Sequence, residues 1–148
     1  MIQRWVSIAA ALAAFAAGCT GVTIDGPPEV EIGAGLYEFT PVAPGEPLSI
    51  DYLLQGGSVL YVALRIHNMQ PRDAHVDATI TFAVDGTVYA GPLAYTVTFK
   101  HRHGEWVYAG LPVEVVPDEV RGLSVIVDVD VTDRDGRFAT DAMEVIPQ

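Results

Sequence analysis

Three stretches of this chain alternate apolar and polar residues with a period of two. In residues 58–68, Leu60, Val62, Leu64 and Ile66 fall on one side, and Val59, Tyr61, Ala63, Arg65 and His67 on the other. A period of two marks a strand with two distinct faces, and the uniformly aliphatic set is predicted to face the core. Val76, Ala78, Ile80, Phe82 and Val84 alternate in the same way with Asp77, Thr79 and Thr81, and Val125, Val127, Val129 and Val131 with Ile126, Asp128 and Asp130.

Shorter runs fill the remainder. Residues 29–32 read as a half-buried strand, broken by Gly33 and Gly35 and resumed over 36–40. Residues 41–47 hold too much proline for a central strand, and residues 48–54 read as a short one. Asp85-Gly86 is a hairpin signal, followed by a return strand over 87–90, a bend at Gly91-Pro92 and a further strand over 93–99. Residues 106–108 and 111–116 read as two strands interrupted by Pro112 and Pro117, with a corner of about one helical turn at 118–122. Residues 133–136 form a loop, and 138–146 pair back. After Cys19 no segment carries a helical period. Seven to nine short strands between regular turns predict an all-β, antiparallel β-sandwich over residues 29–148.

The start of the chain has a different pattern. Arg4 precedes an uncharged run of 13 residues from Trp5 to Ala17, apolar except at Ser7 and too short to cross a bilayer, which takes about 20. A charged start, a short apolar helix and small residues before a cut are the layout of a secretory signal. The small residues are Ala16-Ala17-Gly18, and the only cysteine of the protein, Cys19, follows them. This stretch resembles the lipobox of bacterial lipoproteins, although Ala16 stands where leucine is commonest. The resemblance implies a signal peptide over 1–18 and covalent lipid on Cys19. One acyl chain holds a protein to a bilayer only marginally, whereas the three chains of a lipoprotein cysteine hold it firmly. Thr20 stands where an aspartate would resemble an inner-membrane retention signal, which favours the outer membrane. Residues 19–28, small and turn-forming and ending in Gly26-Pro27-Pro28, read as a tether.

Two further resemblances concern the domain. The last hairpin, with its Val-Thr-Asp-Arg-Asp-Gly-Arg turn over 131–137, looks like the closing hairpin of immunoglobulin-like bacterial domains, without their disulfide cysteines. Phe39-Thr40-Pro41, Gly45, Gln55-Gly56-Gly57-Ser58 and the strand ending Arg65-Ile66-His67-Asn68 are similar to a group of predicted bacterial lipoproteins. That group has no assigned activity.

Charge narrows the partners. All 19 acidic residues lie beyond the cut, and the full chain of 148 residues carries a formal net charge of −11. Such a chain lacks the basic patches that nucleic acid or an anionic membrane surface would require. The residues after the cut suffice for a single domain with its own core, needing no disulfide or structural metal.

Candidate chemistry is sparse. His101 and His103, two apart, would share one face of a strand, and His67 and Met69 have the same spacing. Imidazole with thioether suits copper, though Lys100 and Arg102 beside the pair repel a cation. Asp133 and Asp135, with Asp128, Asp130 and Asp141 nearby, offer the oxygen ligands of calcium without EF-hand spacing. Glycine in the Asp-Gly pair also answers a local need of the turn. No serine-hydrolase, zinc-protease or phosphate-loop motif occurs, which points away from an enzyme. Tyr61, Trp106 and Tyr108 would form a contact patch for an envelope protein or a glycan if they shared a surface, while a buried Trp106 would cover one end of the core. The expectation is a non-catalytic, lipid-anchored envelope module with no cofactor beyond its lipid, and the alternative is a copper- or calcium-binding protein.

Overall fold

A computed structural model describes Val22 and residues 24–148. The expected signal-peptide helix and Cys19 lie outside the described residues. Ten strands form two sheets: β1 (Glu29–Ala34), β2 (Glu46–Leu48), β3 (Asp51–Tyr52), β4 (Ser58–His67), β5 (Ala74–Phe82), β6 (Val88–Val97), β7 (Lys100–Arg102), β8 (Glu105–Glu114), β9 (Val125–Thr132) and β10 (Phe138–Pro147). The one helical turn among the described residues, α1 (Pro117–Val120), starts on a proline and falls at the expected corner.

The first sheet runs β1-β4-β8-β7 with β3 beside β4, and the second runs β2-β10-β9-β5-β6. With β1, β4, β8 and β7 as A, B, E and D, and β10, β9, β5 and β6 as G, F, C and C′, this is the strand order of an immunoglobulin-like sandwich. All pairings are antiparallel except that of β2 with β10, which is parallel. The count exceeds seven to nine because β2, β3 and β7 are only two or three residues long.

The aliphatic sets meet between the sheets. Leu60, Val62 and Leu64 of β4, Val76, Ala78 and Ile80 of β5, and the four alternate valines of β9 are fully buried. Their packing against Phe99, Leu111, Val113, Met143 and Val145 makes one continuous core. Burial of each such side chain contributes about 1.5–3 kcal/mol against exposure.

Several expected strand limits shift, each for a local reason. Residues 36–40 form a tight loop, not a strand, because Ala34 and Thr40 exchange both backbone hydrogen bonds at 2.9 Å and close it. Val84 is exposed in the β5–β6 turn. Gly91-Pro92, joined by a cis peptide, is a bulge inside the single strand β6, and β5 pairs with residues on both sides of it. β8 likewise runs unbroken through Pro112. Its irregularity is a bulge at Ala109-Gly110, where Gly110 has φ +82°. The bulge reverses which parity faces inward, so Trp106 and Tyr108 point to the core before it and Leu111 and Val113 after it.

The outward parity of β4 is covered in part. Val59 and Ala63 are fully buried, the first beneath the turn that follows β3 and the second beside Gly33, over which the Phe39 ring lies. Arg65 bonds both oxygens of Glu105 at 2.8 and 2.9 Å, pairs with Glu31, and stacks under Phe39 with its guanidinium carbon 4.5 Å from the ring centroid. The Glu105 and Glu31 hydrogen bonds raise its pKa above the usual arginine value. Stacking of this kind contributes about 0.5–1 kcal/mol where partly exposed. The Phe39 stretch and the arginine-bearing strand, separate in sequence, are thus one contact.

Candidate functional site

One concave feature among the described residues follows from a short strand. β7 pairs only with Glu105, Trp106 and Val107, so the rest of β8 has no strand neighbour on that side. Two tyrosines of β6 reach across instead. The Tyr95 hydroxyl donates to the Pro112 carbonyl, and the Tyr89 hydroxyl accepts the Val116 N–H at 2.8 Å. Pro112 has no N–H of its own to satisfy at this margin.

Beside these crossings lies a groove of about 420 Å³. Leu53, Val59, Ala90, Leu93 and Val115 supply its apolar wall, Val116 its lip, and Glu114 and Glu119 its charges. Gly56 and Gly57, at φ +92° and +93°, let the chain turn between β3 and β4 and lay Leu53 along the wall. On the opposite side α1 carries Glu119 and is anchored by the fully buried Val120. Leu54, Val116 and Val88 are all at least half exposed around this end of the sandwich. Burial, with Glu119 next to the hydroxyl, raises the pKa of Tyr89; burial, with the charge of Glu114, does so for Tyr95. None of the residues lining the groove is basic.

A second hollow, of about 400 Å³, has the opposite character. It lies between Leu36-Tyr37 and β7, with Lys100 and Arg102 on its wall. Arg102 donates to the Tyr37 carbonyl at 2.9 Å.

The residues proposed from sequence for a metal do not converge in the fold. His67 is exposed at the end of β4, whereas Met69, two residues on, is a buried core residue. Asn68 between them, at φ 54°, breaks the strand and with it the shared face. His101 lies on β7 with its ring 5.0 Å from that of Trp106, and His103 sits in the following turn at φ 51°, off the strand. Among the described residues no three histidine, cysteine or acidic side chains are placed to hold a metal ion.

The aspartates are engaged with the backbone. Asp133 is 4% exposed; its Oδ1 accepts the N–H groups of Asp135 and Arg137, and its Oδ2 that of Gln70 in the β4–β5 loop. Asp141, on the inward parity of β10, accepts the N–H of Ile32 on β1 at 2.9 Å and joins the two sheets at that margin. Asp135 is exposed in the loop.

The aromatic patch divides as well. Trp106 and Tyr108 pack against the core, Tyr108 edge-on to Phe99 at 6.3 Å, while Tyr61 lies on the outward parity of β4. The groove was missed in the sequence because its walls come from four separate segments; the one local signal was the Gln-Gly-Gly turn. No protein family, curated protein or solved structure matches this chain.

Proposed function

We propose that this chain is an envelope lipoprotein, anchored through lipid on Cys19 and probing its surroundings with the groove between β6, β8 and the β3–β4 turn. It binds and does no chemistry of its own. The observation that carries the reading is the position of the two ends. Gly26 and Pro27 rest against the Arg137 and Asn68 side chains, beside the last residues of β4, whereas Ser58 and Val59 at its start line the groove. A ten-residue strand separates them, about 30 Å. On this reading an anchor preceding Gly26 holds the end of β4 remote from the groove. Thr20 after the cysteine favours the outer membrane.

The anchor is tested by expressing the full chain in a bacterium fed an alkyne-bearing fatty acid. The expected result is label on the protein, an N-terminal peptide starting at lipidated Cys19, and loss of both with release from the membrane fraction in Cys19→Ala. An unlabelled protein with a mature end elsewhere overturns the reading.

A further inference from the structure

We propose that the groove takes a small hydrophobic organic cation, an ammonium whose apolar body lies on Leu53, Leu93 and Val115 and whose charge meets Glu114 and Glu119. The inference rests on the groove being the binding site and adds the class of its ligand.

The walls select this chemistry by what they offer and what they lack. The floor is aliphatic, so a ligand must bring an apolar body to exclude water from it. The charged groups are both carboxylates, and no lysine, arginine or histidine lines the groove to hold an anion. Tyr95 spends its hydroxyl proton on the Pro112 carbonyl of β8, and Tyr89, which accepts the Val116 N–H just past β8, has its own proton next to Glu119. A carboxylate or phosphate would thus meet negative charge with few donors to offset it. A bare divalent ion fits no better, because it wants six or more oxygen ligands and here finds two carboxylates over an apolar floor. Low-dielectric walls concentrate the field of the two glutamates, and the formal charge of −11 on the whole chain acts in the same direction. At about 420 Å³ the groove is of the size that holds small ligands.

The test uses the full expressed protein, in the processed form that the cell yields, with three probes of one shape: phenethylammonium, phenylethanol and phenylpropionate. Leucine and valine methyl NMR locates each probe, and calorimetry against a protein-free blank measures it. The ammonium is expected to shift the Leu53, Leu93, Val115 and Val116 methyls and to bind about fivefold or more tightly than the alcohol, with the anion weakest. Its advantage shrinks in high salt while the binding of the alcohol does not change. Glu114→Gln with Glu119→Gln brings ammonium and alcohol to equal affinity. If alcohol and ammonium bind the groove equally in the unaltered protein, the groove stands as a site and the charge inference falls. If the ammonium shifts only leucine and valine methyls outside the groove, the inference falls as well. If no probe moves a groove methyl at millimolar concentration, the groove itself is overturned as a binding site.

Discussion

Asp133 shows how much one side chain can hold. Its carboxylate collects two N–H groups of its own hairpin and one from Gln70, 63 residues away. Charged hydrogen bonds of this kind contribute more than neutral ones, and removal of the acceptor leaves buried donors without partners. Asp133→Ala is expected to lower stability by about 3 kcal/mol, read as the midpoint of urea unfolding. Asp135→Ala, at an exposed position, should change it little. A calcium-site role for the pair would instead make the two substitutions comparable in their effect on calcium-dependent melting. From sequence the Asp-Gly turn was plain, because its cause is local. The bond to Gln70 was not, since nothing within the hairpin announces a partner on another loop. The same holds for Met69, whose spacing from His67 looked like a ligand pair until Asn68 turned the chain between them.

At the scale of elements, period-two alternation located β4, β5 and β9 and their core faces, apart from Val84, which lies exposed in the turn after β5. It failed where a strand carries an extra residue. Gly91-Pro92 and Ala109-Gly110 look like ends in a sequence, yet both are bulges through which pairing continues. Loops that fold back onto a sheet were the other blind spot, and Gly33 reports on one of them. A Cβ at Gly33 would lie 2.4 Å from the Thr40 carbonyl oxygen and 2.9 Å from the Phe39 ring. Gly33→Ala is therefore expected to push the 35–40 loop off β1 and to loosen Phe39 from Arg65. The cost should be about 1–3 kcal/mol, in the range of overpacking, with faster proteolytic nicking near Tyr37 as the structural sign. Unchanged stability together with unchanged nicking would mean that the loop does not pack as described.

Over the whole molecule, the charge is unevenly spread. On the outer face of the β10-β9-β5-β6 sheet, Asp77 sits directly opposite Asp130, with Asp128 two residues along and threonines and alanines around them. His75 Nε2 lies 3.2 Å from Asp77 Oδ2. Partial burial, and then the charge of Asp130, raises the pKa of Asp128 above its ordinary 3.8. The folded protein therefore holds that proton more tightly than the unfolded chain does, and this group's contribution to stability improves as pH falls from neutral toward 3.8. Asp128→Asn should stabilise the protein at pH 7 by up to about 0.5 kcal/mol, and the gain should fade on acidification. A gain independent of pH would show that shape, not charge, is responsible.

The same three carboxylates bear on how copies of the protein behave when crowded. The threonines and alanines on this sheet face are small, and a second such sheet could approach them closely. With like charges set at its centre, two copies approaching face to face repel each other at neutral pH. Neutralising Asp77, Asp128 and Asp130 together is therefore expected to remove that repulsion and to promote association of copies through this face, read as a rise in mass on sedimentation.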